Sequence, residues 1–252
     1  MKKYYIVSFS GGKDSTAMLL HMLELGTYQI DEVVNLDIGL EYPAMYAHIE
    51  KVKSVVEEHG GSFTTLKADK SFKYYLLDHE YKTKNGEVRK GYSWPNGRTR
   101  WCTSKLKTDV IRKYIKNLKG HYDVYQYIGL ASDEVYRLER PTNKNKHHIH
   151  PLVDWGWTEA DALKYCYSKG YRWDGLYEIF NRVSCWLCPL MRIEEAKKTW
   201  KYFPDLWEKL KLMDAQTRTP WKTNYSVEQL ERRFTAEEKQ LILPQIIEQK
   251  KE

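Results

Sequence analysis

The sequence predicts an α/β protein, a mostly parallel, doubly wound sheet followed by a helical C-terminal appendage. Three observations predict it. Strand-like apolar runs alternate with helix-period runs from residue 5 to about residue 130. The run Ser8-Phe-Ser-Gly-Gly-Lys-Asp-Ser15 joins the first strand to the first helix through a small polar elbow. Beyond about residue 158 the pattern is helical, broken at Cys185–Pro189.

The elements follow in order. An apolar strand covers residues 5–9, and a helix runs to Gly26, where glycine just past the last periodic residue is a stop signal. Val33, Val34 and Leu36 mark a second strand. Pro43 opens a second helix that stops at Gly60-Gly61. Ser62–Ala68 reads as a third strand and Phe72–Tyr81 as an aromatic helix. Lys82–Arg100 reads as a basic, glycine-containing loop. Val110, Ile111, Tyr114, Ile115 and Leu118 then give an amphipathic helix, and Asp123–Leu130 a fourth strand. Residues 192–252 read as amphipathic helices with turns at Pro204, Pro220 and Pro244. Ligands of such sheets bind beyond the carboxyl ends of the strands, where the elbow sits. The expected division is residues 1–191 and 192–252.

The elbow has the chemistry of a phosphate site. Gly11 and Gly12 let the backbone turn sharply and approach a ligand, and amides at a helix start point together at an anion. Lys13 adds a positive charge; Asp14 and Ser15 add hard oxygens suited to Mg²⁺. An ordinary helix cap explains Asp and Ser but not Gly-Gly-Lys. The spacing is not that of a Walker A loop.

With 42% apolar and 30% charged residues in 252, the chain is a globular enzyme-sized protein and not a disordered one. The start MKKYYIVSF is too short for a signal-peptide core or a membrane span, and four cysteines are few for a disulfide framework, so a cytoplasmic location is expected. The net charge of +7 is uneven: residues 82–119 hold twelve Lys/Arg against Glu87 and Asp109, and the remainder is slightly acidic. Such a segment suits a polyanion, a nucleic acid substrate among them; a solvated lysine-rich helix face is the plainer alternative.

The elbow SGGKDS resembles the signature of the PP-loop ATP pyrophosphatases. NLDIGLEYP, RWCTSKLKTDVI, IGLASDEVYRLER, HPLVDWGWTEADALKYC and GLYEIFNRVSCWLCPLM resemble, in order, the phosphoadenosine phosphosulfate (PAPS) reductase-like branch, over residues 5–191. The resemblance implies an adenine nucleotide alpha hydrolase-like sheet that binds ATP at Ser10, Gly11, Gly12, Lys13, Asp14 and Ser15, with Lys13 and Asp14 catalytic. It places Asp37 at the nucleotide and Gly129, Glu134 and Arg137 near its phosphates or sulfate. By their positions alone, Asp37 could be a strand-end turn residue, and Glu134 and Arg137 an i, i+3 surface pair.

Two departures separate the chain from true reductases. No cysteine follows Cys188 to serve as their C-terminal nucleophile, and the elbow is intact where theirs tends to be degraded. An intact elbow favours ATP.

Cys185-Trp-Leu-Cys188 puts two thiolates within reach of one metal, and Cys102 matches a cysteine of the cluster-binding relatives. The three imply a [4Fe-4S] cluster with one open iron, or Zn²⁺ with a fourth ligand; a redox pair is the alternative for Cys185 and Cys188. Cys166 sits with Leu163 and Tyr167 on an apolar helical stripe and reads as core. His147, His148 and His150 read as a solvated or phosphate-facing loop, and no tryptophan is assigned to base stacking.

The resulting expectation is an ATP- and Mg²⁺-dependent adenylating enzyme, a sulfurtransferase that releases pyrophosphate and thiolates its acceptor. Its expected partners are a nucleotide, a nucleic acid through residues 82–119 and a sulfur-donor protein, with no membrane. The alternatives are a PAPS or adenosine phosphosulfate reductase using an external thiol, and a catalytically silent nucleotide-binding subunit.

Overall fold

The computed structural model describes residues 1–139 and 145–249, so the first three residues of the polar run that the sequence shows at Thr142–His148 lie outside the described residues. The chain forms two compact units, one of residues 1–69 and 103–183, the other of residues 70–102 and 184–252. These units do not follow the expected line at 191/192. The reason is a set of buried hydrogen bonds that tie residues 70–102 to the C-terminal helices, set out below.

In the first unit, β1 (Lys2–Phe9), β2 (Glu32–Asp37), β3 (Phe63–Lys67), β6 (Tyr122–Ile128) and β7 (His148–Ile149) make one sheet in the order β3-β2-β1-β6-β7. Every pairing is parallel. This is the predicted α/β class, with one short edge strand, β7, that a two-residue pattern could not announce. Ile6, Val34 and Val124 form a buried patch under Ile111, Tyr114, Ile115 and Leu118 of α4 (Asp109–Leu118). Strand alternation sends Val7 and Val33 to the other face, where they are equally buried, so both faces are covered.

Helix α1 (Lys13–Leu25) ends at Gly26 in a left-handed conformation, and α2 (Pro43–Glu58) starts on its proline, as the sequence signals require. Glu32, 5% exposed, is buried as an acid but takes hydrogen bonds from the Tyr114, Tyr4 and Thr64 hydroxyls. A buried carboxylate without those donors would be costly. The remaining helices of this unit are α5 (Pro151–Asp154), α6 (Glu159–Ser168) and α7 (Leu176–Ile179). Thr158 caps α6 in a capping box with Asp161.

In the second unit the expected aromatic helix runs from Phe72 to Asp78, with a π-turn over Tyr74–Asp78, and its last expected residues instead begin an antiparallel hairpin, β4 (Glu80–Lys82) and β5 (Val88–Lys90), that continues into the expected basic loop. A short helical turn, α3 (Trp101–Thr103), spans the unit boundary. The C-terminal helices are α8 (Ile193–Tyr202), α9 (Pro204–Asp214) and α10 (Val227–Gln249); α10 runs through Pro244, so the turn expected there is absent. Asp214, 8% exposed, joins this unit: one oxygen takes the Trp94 indole N–H at 2.8 Å and the other the Val227 amide at 2.7 Å. Ser93 and Thr219 hydroxyls meet at 2.6 Å. Among the described residues no helix is long and apolar enough to cross a membrane.

The tightest backbone approach near the elbow is at Gly129. A Cβ there would lie 2.8 Å from both N and Cα of Ser15. Gly129→Ala should therefore push the end of β6 off the start of α1 and destabilise the protein by about 1–3 kcal/mol, measured by urea unfolding.

Candidate active site

The site is built on the end of β1. Phe9 is buried, and the next six residues turn into α1 with Gly11 at φ +78° and Gly12 extended as the N-cap, with no side-chain cap bond. A Cβ on Gly11 would strike Ile49 at 2.8 Å, so both its φ and its surroundings demand glycine. Ser10 and Ser15 staple the elbow from inside. The Ser15 hydroxyl takes the Ser10 amide at 3.2 Å, donates to the Gly12 carbonyl at 3.1 Å and lies 3.0 Å from the Ser10 hydroxyl.

Behind it stands a brace that sequence reading missed. The Trp173 indole donates to the Gly11 carbonyl at 2.7 Å, and Tyr177 Oη accepts the Lys13 amide at 2.9 Å. The Cys166 thiol donates to the Lys13 carbonyl at 3.4 Å. His48 Nε2 lies 2.9 Å from Thr16 Oγ1, with its ring 4.3 Å from that of Trp173. Cys166 is fully buried, and burial pushes its thiol up to about 12. Trp173 and Tyr177 lie just before and within the GLYEIF stretch, but nothing in their spacing points back to an elbow 162 and 164 residues earlier.

Lys13 is the chemical centre. It is 8% exposed, and its ammonium contacts both Asp14 oxygens at 2.9 and 3.0 Å and Glu159 Oε2 at 2.6 Å. Burial by itself would lower the lysine's pKa, but the two carboxylates outweigh it and hold the group charged. Asp14 goes the other way. Its burial, with the Glu159 and Glu134 carboxylates nearby, exceeds the pull of Lys13 and raises it above the usual carboxylate range. Glu159 is the first residue of α6, and its amide donates to Asp133, which seats it over the elbow. It was not among the predicted site residues; its signal was only a position in a capping box.

The other predicted nucleotide residues gather at the same sheet end. Asp37 closes β2, where it takes the Gly39 amide at 2.8 Å and the Tyr46 hydroxyl at 3.1 Å, and pairs with Lys67 at 2.9 Å. Burial would raise it, but those partners hold it below the usual range. It lines a cleft of about 140 Å³ together with Ser10, Asn35, Tyr46, Lys107 and Ile111. Gly129 abuts Ser15. Glu134 and Arg137 pair with each other at 2.7 Å in a 3₁₀ segment, with Glu134 close enough to act on Asp14.

Cys102, Cys185 and Cys188 fall in the second unit. Cys188 closes a turn on the Cys185 carbonyl at 3.0 Å, held by the Trp221 indole on the Leu187 carbonyl at 2.8 Å and by Lys222 on the Pro189 and Met191 carbonyls. Burial draws Lys222 down to about 8 despite Cys188 and Glu194 nearby. Among the described residues, no group of three or more His, Cys, Asp or Glu is arranged to hold a metal ion. The three cysteines thus share a unit without forming a ready metal site. Of the histidine loop, His147 pairs with Asp123 at 3.1 Å and His148 bonds Asn145.

The glycine-rich elbow thus stands at the carboxyl end of a parallel sheet, as the sequence predicts. Residues 4–191 match the model of the phosphoadenosine phosphosulfate reductase domain, and the chain belongs to that family. Two uncharacterized proteins of Methanocaldococcus jannaschii are each 29% identical over 83% of this chain. The chain spans less than half of their lengths, 41% and 49%. Among solved structures, it is similar to a PAPS reductase from Candida auris in complex with phosphate, at 15% identity and TM-score 0.44 over 74% of this chain and 82% of that one. It is also similar to the U34-tRNA thiolase NcsA from Methanococcus maripaludis with its [4Fe-4S] cluster, at 17% identity and TM-score 0.42 over 93% and 72%.

The brace gives a pH prediction. Burial holds His48 neutral, with its pKa lowered to about 3 from 6.5. Above pH 6.5 both folded and unfolded chains keep it neutral and it costs nothing. As pH falls from 6.5 toward 3, the unfolded chain gains a proton that the folded one resists, so stability is lost, by roughly 5 kcal/mol at full extent. In urea titrations across this window, His48→Gln should lose correspondingly less stability than the wild type.

Proposed function

We propose that the chain binds ATP at the Ser10–Ser15 elbow and adenylates an acceptor oxygen, releasing pyrophosphate, to prepare that acceptor for sulfur transfer. The observation that carries this reading is the buried ammonium of Lys13, held charged between Asp14 and Glu159 at the start of a helix. The oxygens it contacts there are carboxylate oxygens, which phosphate oxygens can replace. In the reaction the acceptor oxygen attacks the α-phosphorus, and the bond to the bridging oxygen breaks. The Lys13 ammonium and the Asp14 and Ser15 amides at the start of α1 stabilise the charge that gathers on the departing pyrophosphate, the Lys13 amide being taken by Tyr177. Asp14 fits a Mg²⁺ ion held by one or two carboxylates and by phosphate oxygens, an arrangement usual for that ion, which would neutralise the same charge.

The second half of the reading concerns sulfur, and family membership supports it. A donor protein supplies a persulfide whose terminal sulfur attacks the activated carbon as AMP leaves; a thiol then cleaves the remaining S–S bond. No step is routed through a cluster, since the described residues form no metal-holding group. Cys102, Cys185 and Cys188 are the proposed ligands should a metal be present.

Lys13→Ala should cut pyrophosphate and AMP formation about a hundredfold or more, with unfolding in urea still cooperative. Wild-type rates in that variant would defeat the ATP reading. Sulfite release from a sulfonucleotide and an external thiol, without ATP, would replace it with the reductase. Binding of ATP with neither product would leave the catalytically silent subunit.

Metal analysis after anaerobic purification tests the cysteines separately. Any iron with sulfide, or zinc, that the protein holds should fall on substitution of Cys102, Cys185 or Cys188 by Ser, and stay unchanged in Cys166→Ser. Metal-free wild-type protein would remove the ligand assignment.

A further inference from the structure

The basic segment 82–119 is divided between the two compact units: residues 82–102 belong to the second and 103–119 to the first. Within the second unit its charge meets half-buried aromatic rings. Tyr81 on β4 stands opposite Arg89 on β5, so both project from one face of the hairpin. The Tyr81 ring lies 4.9 Å from Tyr92, and Tyr92 lies 4.7 Å from His79 and stacks parallel to Tyr75 at 6.2 Å, with 3° between the planes. Arg218 reaches the same place from the turn after α9. Its guanidinium donates to the Gly91 carbonyl at 2.7 Å and to the Tyr81 hydroxyl at 3.3 Å. Arg89 is paired with Glu87 at 2.8 Å, and Arg218 is near enough to act electrostatically on the same acid. Around them Lys82, Lys84, Lys90, Arg98 and Arg100 are exposed, and none has an ion-pair partner among the described residues.

We propose that this face binds single-stranded nucleic acid, with unpaired bases stacking on Tyr81 and Tyr92 and phosphates lying on Arg89, Arg218 and the surrounding lysines. The proposal rests on the reading above only for the acceptor whose substrate class it names, and it needs neither ATP nor the elbow. The chemistry selects among polyanions. Tyr81 and Tyr92 are both part-exposed, and aromatic rings of this kind accept the faces of unpaired bases, which a duplex keeps inside its stack. The hairpin carries no helix to enter a major groove. A solvated charge run would not gather tyrosine rings and two guanidiniums around one strand pair.

The test is fluorescence anisotropy with labelled oligo-dT and oligo-U of about 15 nucleotides, within the span such grooves track, against a duplex of the same length, in the absence of ATP. The full chain should bind at least one single strand about tenfold more tightly than the duplex. Tyr81→Ala should weaken that binding about tenfold while Tyr81→Phe, which keeps the ring, retains it. Arg89→Gln should reduce the slope of log affinity against log salt by about 0.7. Lys13→Ala should bind like the wild type, so failure of the ATP reading and failure of this one are read separately. The proposal is overturned if the duplex binds as well as the single strand, if polyglutamate competes as well as an oligonucleotide, or if a folded Tyr81→Ala binds unchanged.

Discussion

A charged ammonium that is nine-tenths buried is the constraint around which the first unit is organised. Lys13 keeps its charge only because Asp14 and Glu159 stand within about 3 Å of it, and those carboxylates come from two helices on either side of the elbow. Burying a charge without partners would be prohibitive, so the placement of α6 over α1 is part of the site and not merely of the core. Its position depends in turn on Thr158 and Asp161, which cap the helix, and on Asp133, which takes the Glu159 amide. The carboxylates that hold Lys13 also compete with any phosphate for it. Phosphate binding therefore requires the exchange of one set of anionic oxygens for another.

The elbow shows how a backbone site is kept in shape by the protein's own bonds. Its carbonyls are claimed from behind by Trp173, Cys166 and the Ser15 hydroxyl, while Tyr177 takes one amide. With these bonds made inside the protein, the loop does not have to be ordered by the nucleotide proposed to bind there, which would lower the entropic cost of binding. His48 belongs to the same support. Its neutrality is a consequence of burial among aromatic rings, and it makes the brace sensitive to acid well below neutral pH.

The second unit rests on a different buried acid. Asp214 takes one hydrogen bond from the Trp94 indole and one from the start of α10, joining segments 120 and 13 residues away. That carboxylate, with the Ser93 and Thr219 pair, is why residues 70–102 leave the sheet-bearing unit in which the chain order would place them. It also fixes the base of the hairpin that carries Tyr81 and Arg89, so the aromatic and basic face is mounted on a packed support.

Local pattern was enough to read the alternating sheet, the elbow, the caps at Gly26 and Pro43 and the burial of Cys166, because each is written in periodicity or in a residue whose conformational freedom is unusual. Strand β7 and the hairpin escaped it: two- and three-residue strands carry no readable period. The helix through Pro244 ran against local propensity. The roles of Glu159, Trp173 and Tyr177 were settled by the folded chain, since a hydrogen bond to a partner 146 to 164 residues away leaves no trace in spacing. The cysteines mark the same limit from the other side. Their motif is local and legible, whereas a metal site requires the convergence of separate segments, which spacing alone does not provide.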